Sequence, residues 1–154
     1  MIRIFFILLL TLNSCGYEII NKVSGNNYNI IEYELIGNNK INKILDQNFK
    51  KFQQNKTSFK ELKIYSNSEI TKKIASKNTA GNSTRYQIEI IIEIKVNDGK
   101  NTQTKRFKKN STFSATGSQF ELKQYEELLT NNMTSQIIIE INYFLKRLND
   151  FKII

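Results

Sequence analysis

The sequence has no histidine, no proline, no tryptophan and a single cysteine, Cys15. Without histidine, the imidazole-based acid/base pairs and triads are excluded, as is a structural zinc site of the Cys/His kind. A lone cysteine excludes a disulfide within the chain. Calcium-loop spacing, phosphate-cradling glycine loops and a Gly-x-Ser-x-Gly elbow are all missing. Paired carboxylates are scarce. Glu126 and Glu127 are sequence neighbours on a helix and point in different directions. Glu89 and Glu93 share a strand face about 13 Å apart, wide for two carboxyls acting on one bond. The sequence therefore reads as that of a non-enzyme with no metal site. The lack of proline, beside abundant asparagine, lysine and isoleucine, is a compositional bias and points to no function.

What is present is ordinary for a globular domain: 154 residues, 40% hydrophobic, 11% aromatic and 24% charged. The charge is not balanced, with 23 Lys and Arg against 14 Asp and Glu, a net +9.

Met1 to Ser14 (MIRIFFILLLTLNS) has one positive charge, Arg3, then the apolar run Ile4 to Leu10, then small or polar residues. This is the order of a secretory signal, and the apolar run is far short of the ~20 residues that span a bilayer. Leu12-Asn13-Ser14-Cys15 resembles the lipobox of bacterial lipoproteins, with Leu at −3, a small residue at −1 and Cys at +1. That resemblance implies a diacylglycerol on the Cys15 thiol, cleavage before Cys15 and acylation of the freed amine. Several chains on one residue anchor durably where one chain binds only marginally. No other cofactor is expected. Gly16 at +2, by resemblance to sorted lipoproteins, favours the outer membrane. The mature chain, Cys15 to Ile154, loses only Arg3 of its charges and keeps +8.

Residues 15–27 form a lead-in that contains the turn-like Ser24-Gly25-Asn26-Asn27, and 28–154 read as one domain. Tyr28 to Ile36 is strand-like, with Ile31, Tyr33 and Leu35 expected on one face. Ile41, Ile44, Leu45, Phe49 and Phe52 recur at helical spacing, which predicts a helix from Asn39, its candidate N-cap, to about Gln54. Phe59 to Ser66 and Glu69 to Ala75 have strand character, and Lys77 to Ser83 is a polar turn.

From Tyr86 to Val96, Tyr86, Ile88, Ile90, Ile92, Ile94 and Val96 alternate with Gln87, Glu89, Glu93 and Lys95, interrupted only by Ile91. Such alternation marks a strand with one buried face. Asp98-Gly99 signals a hairpin, with Thr102 to Ala115 as the returning strand and Phe107, Phe113 and Ala115 on one face. After Gly117-Ser118, Leu122, Tyr125, Leu129, Met133, Ile137, Ile141, Phe144 and Leu148 step by three or four residues along a long helix. The sum is an α+β fold, a mainly antiparallel four-stranded sheet with two helices packed on one face.

Basic residues crowd two places: Lys72, Lys73, Lys77 and Arg85 around the polar turn, and Lys105, Arg106, Lys108 and Lys109 on the returning strand. On that strand Arg106 and Lys108 share one face, Lys105 and Lys109 the other. A basic surface held at an outer membrane meets lipopolysaccharide phosphates, with which lysine and arginine pair. Nucleic acid, the usual partner of such charge, is rarely met by an exported lipoprotein.

The mature chain resembles the LPS-assembly lipoprotein family, LptE. The likeness is carried by Cys15-Gly16-Tyr17, by Ala75 to Val96 with Thr79-Ala80 and Tyr86-Gln87, by the strand ending Phe107 to Ala115, and by the final helix Glu121 to Leu148. The resemblance implies an outer-membrane lipoprotein on the periplasmic side, paired one-to-one with a large LptD-like β-barrel as its plug and assembly subunit. It also implies binding of lipopolysaccharide during delivery to the outer leaflet. The eight basic residues above are the candidate lipopolysaccharide contacts, chosen on charge and placement. The competing expectation is a small structural lipoprotein of another envelope complex, such as the barrel-insertion machinery or a peptidoglycan tether.

Overall fold

The computed structural model describes residues 28–53 and 60–150, with side chains as far as 148. The signal segment Met1 to Ser14, Cys15, the lead-in to residue 27, the expected helix end at Gln54 and Phe59 lie outside the described residues. Elements follow in the order β1 (Tyr28–Gly37), α1 (Asn39–Lys50), β2 (Lys60–Lys77), β3 (Ser83–Asn97), β4 (Thr102–Ser114) and α2 (Gln119–Asp150). The sheet order is β1-β2-β3-β4. β1 and β2 run parallel, and the other two pairs run antiparallel. The parallel pair requires a crossover, which α1 supplies. This is the expected α+β fold.

Both helices lie on one face of the sheet. The alternation in β3 puts Ile88, Ile90, Ile92, Ile94 and Val96 under them, almost fully buried. Leu62 and Ile64 of β2 and Phe107 and Phe113 of β4 extend that layer on either side. Ile41, Leu45 and Phe49 of α1 and Met133, Ile137, Ile138, Ile141 and Leu145 of α2 close it from above. Each such side chain contributes roughly 1.5–3 kcal/mol by leaving water.

Four local readings are corrected. In β1 the register slips between Ile30 and Glu32, so Tyr28 and Ile30 are buried and Ile31 is turned outward, 42% exposed. The bulge adds one residue and resets the faces, and Tyr33 and Leu35 return to the core side. The N-cap of α1 is Asn38 and not Asn39: its Oδ1 accepts the N–H groups of Lys40 at 3.0 Å and Ile41 at 3.2 Å. The two strands expected over residues 59–75 are one continuous strand. Ser66 and Ser68 look like a polar break but are buried; Ser68 Oγ accepts the Asn38 N–H at 3.0 Å and donates to Asn42 Oδ1 at 2.7 Å. In α2, Tyr125 is 48% exposed, whereas Leu145, Thr130 and Thr134, outside the expected stripe, are buried.

Gly37 makes the turn from β1 into α1 possible. Its φ of +101° lies where L side chains are disfavoured, and a Cβ there would stand 2.0 Å from the Ser68 carbonyl oxygen. α2 starts with a reciprocal cap in which Glu121 N–H donates to Ser118 Oγ at 3.3 Å and Ser118 N–H donates to Glu121 Oε2 at 2.8 Å. The far end of the domain is held by Lys60. Its Nζ donates to the Leu148 carbonyl at 2.9 Å and pairs with Asp98 Oδ2 at 3.1 Å. Asp98 Oδ1 meanwhile accepts the N–H groups of Asn101 and Lys100 in the β3–β4 turn. The Asn101 N–H is the main cause, with Lys60 next among the attractions, of an Asp98 carboxyl lowered to about 2.

Candidate anion-facing surfaces

β1 ends opposite Ser68, so past that point β2 and β3 run on as a hairpin that β4 still flanks as far as Arg85 opposite Ser114. Residues 78–82 close it, with Gly81 at φ +83° and the Asn78 side chain accepting the Asn82 N–H at 2.9 Å. Lys72, Lys73, Lys77 and Arg85 all stand on this hairpin, as their clustering in sequence suggested. The pleat then divides them. Lys72 faces the helices, where its Nζ pairs with Glu126 Oε2 at 2.5 Å and lies 4.8 Å from the Tyr86 ring centroid and 5.7 Å from that of Phe113. Lys73 and Arg85 are on the open face, and Lys73 pairs across with Gln87. That makes Arg85 its diagonal neighbour, within reach of a shared anion. Lys77 is exposed beside the turn. Among the described residues, Lys73, Lys77 and Arg85 make no ion pair.

The β4 group divides the same way, as the alternation predicted. Lys105 and Lys109 face α2. Lys105 Nζ lies 5.2 Å from the ring centroids of both Phe107 and Phe144, and Lys109 Nζ pairs with Glu140 at 2.6 Å. Arg106 and Lys108 face the open side. Lys108 pairs with Glu89 at 2.9 Å, and this hydrogen bond is the first cause of a Glu89 carboxyl held below its ordinary range. Arg106 stands opposite Glu93 and makes no ion pair among the described residues.

The eight candidates therefore do not form one patch. Lys72, Lys105 and Lys109 are already engaged with the acids and rings of α2 and β4. Lys73, Lys77 and Arg85 remain as a local excess of positive charge at the hairpin end. Sequence reading missed Arg147, which with Gln103, Lys105, Phe144 and Leu148 lines a cavity of about 210 Å³ between β4 and α2. Arg147 stands on the last turns of α2, distant in sequence from both clusters, and only the packing of α2 along β4 brings it there. No group of three or more potential metal-ligating side chains occurs among the described residues. No helix among them is long and apolar enough to cross a membrane.

The fold is shared with solved lipoproteins. The rare lipoprotein B of Shewanella oneidensis superposes with a TM-score of 0.60 at 13% identity, over 77% of this chain and 96% of that one. A Caulobacter crescentus CB15 protein, described provisionally as a lipoprotein, superposes with a TM-score of 0.50 at 12% identity, over 82% of this chain and 92% of that one. Uncharacterized lipoprotein B of Nitrosomonas europaea gives 0.48 at 17% identity, over 81% and 86%. At these identities the likeness is one of fold. No protein-family model matches the chain, and no curated protein matches its sequence.

Proposed function

We propose that the chain is an envelope lipoprotein, anchored through acyl groups on Cys15, that works as plug and assembly subunit of the lipopolysaccharide translocon barrel. The observation that carries this reading is the lipobox ahead of Cys15 joined to the fold of the Shewanella oneidensis rare lipoprotein B. The resemblance to the LptE family supports the outer membrane, periplasmic side, and an LptD-like partner. The role is non-catalytic. Among the described residues one sheet face carries no helix and is mainly polar and charged; such a face suits the hydrated interior of a large barrel, where its ion pairs are screened less than on an open surface.

Within this reading, Lys73, Lys77 and Arg85 are the first contacts for lipopolysaccharide phosphates. They are exposed and make no ion pair among the described residues, and they cluster at one end of the domain. Lys72, Lys105 and Lys109 act on packing first, since binding an anion would cost them their present partners.

Depletion of the protein tests the function. Loss of lipopolysaccharide from the cell surface with other barrel proteins intact is the expected result. A general loss of barrels would overturn the translocon reading in favour of the insertion machinery. Cys15→Ser tests the anchor separately: lipid labelling should vanish and the leader should stay uncleaved by the lipoprotein peptidase.

A further inference from the structure

Among the described residues the sheet has three stretches of strand with a free edge: β1, the part of β2 beyond Ser68, and β4. Two are short or irregular. β1 carries the bulge at Ile31, and β2 beyond Ser68 keeps its register only to Ile74 before shifting on both sides of Ser76. Such kinks spoil an edge as a template for another strand. β4 is different. Its pairing with β3 runs without a shift from Asn97 opposite Thr102 to Arg85 opposite Ser114.

The direction of its free backbone groups follows from the period of two. The Ala115 N–H donates to the Thr84 carbonyl at 2.9 Å, so odd-numbered residues of β4 point their N–H and C=O toward β3. Thr104, Arg106, Lys108, Asn110 and Thr112 point theirs away. Among the described residues, no backbone hydrogen bond reaches them from that side.

The side chains along this edge carry one sign of charge. Lys105, Arg106, Lys108 and Lys109 are all basic, and β4 holds no acid. Lysine on an edge commonly discourages association, and here it does so selectively. A second copy of β4 would set cations against cations, whereas an acidic strand with its acids on the open face would pair across with Arg106 and Lys108. The helix side offers more than charge. The cavity between β4 and α2 has Phe144 and Leu148 beneath it and Lys105 and Arg147 around it. A strand added to β4 would drop alternate side chains into that space, the geometry by which sheet edges beside a helix gain specificity.

We propose that β4 accepts an acidic, extended segment of a partner protein as a fifth strand, seated against α2. The inference stands apart from the translocon reading, since it uses neither the anchor nor lipopolysaccharide.

The test follows amide hydrogen exchange in the full mature chain, held in detergent micelles at low salt. The probe is a ten-residue peptide of alternating Glu and Val with blocked ends. Exchange should slow at least tenfold at the amides of Thr104, Arg106, Lys108, Asn110 and Thr112, and stay unchanged at Lys105, Phe107 and Lys109. The same peptide N-methylated throughout, or with Lys in place of Glu, should slow none of them. Arg106→Glu combined with Lys108→Glu should weaken binding of the Glu–Val peptide at least tenfold; if that variant does not fold, the N-methylated peptide decides. Three results would overturn the proposal. The five amides could already exchange slowly in the free chain, which would mean that its own segment or a second copy occupies the edge. Phosphatidylglycerol vesicles could protect them where the peptide does not. The peptide could leave them unprotected, or protect them equally well when N-methylated.

Discussion

In β3, Ile88, Ile90, Ile92 and Ile94 lie fully buried under the helices, while Glu89, Ile91, Glu93 and Lys95 of the same strand look outward and stand exposed or half-buried. The first set belongs to a dry layer closed by two helices. The second belongs to a face that no helix covers among the described residues, mainly polar and charged around Ile91 and Tyr65 and crossed by single ion pairs such as Lys108–Glu89 and Lys63–Glu32. Exposed pairs of this kind add little to stability, because water and salt screen them. Stability is held on the helix face, and among the described residues no helix covers the open face.

Cutting neighbouring isoleucines on opposite faces should show the largest difference between the two sides. Ile92→Ala should cost about 4 kcal/mol, the transfer of the side chain plus the cavity it leaves, and Ile91→Ala under about 1 kcal/mol. Urea denaturation of both variants measures the ratio; equal losses would mean that the outer face is covered. Next in size is Gly37→Ala, which should cost about 3 kcal/mol by the same assay. It combines a disfavoured φ with a clash against the Ser68 carbonyl, and neither the backbone nor the strand beside it has room to yield.

A smaller effect belongs to Asp98. Its folded-state value of about 2 lies below the ordinary carboxylate range, so its contribution is present above about pH 4 and is lost as pH falls through 2. The loss is of order 1–2 kcal/mol. Stability measured from pH 5 to pH 2 should fall less steeply in Asp98→Asn than in the parent chain. A parallel fall would place the acid sensitivity elsewhere. Smallest for stability, within about 0.5 kcal/mol, should be Lys73→Gln, Lys77→Gln and Arg85→Gln together. That triple variant should nevertheless lose most binding to lipopolysaccharide micelles. Retained binding, with loss instead in Lys72→Gln, would reverse the division of the basic residues drawn above.

Much of this was legible in the residues. β3 declared itself because its alternation spans the whole strand, and the β3–β4 hairpin because Asp98-Gly99 sits between two such runs. The order of elements and the α+β layout followed. What misled was polarity with a local explanation. Ser66 and Ser68 look like a loop until Asn38 and Asn42, from another element, are seen to satisfy Ser68. The bulge at Ile31 left no mark, because Ile30 and Ile31 are equally apolar and only pairing with β2 tells them apart. For the basic residues, sequence gave clusters and the correct faces of β4. It did not tell which cations were engaged, since Glu126 and Glu140 lie on a helix far along the chain.

The proposed function makes this chain part of a barrel in the envelope. Extraction of the tagged, full-length protein from envelopes in gentle detergent, with mass spectrometry of what accompanies it, tests that role. One large outer-membrane β-barrel protein should come down in one-to-one stoichiometry. Repeated recovery of the chain with no barrel would contradict it.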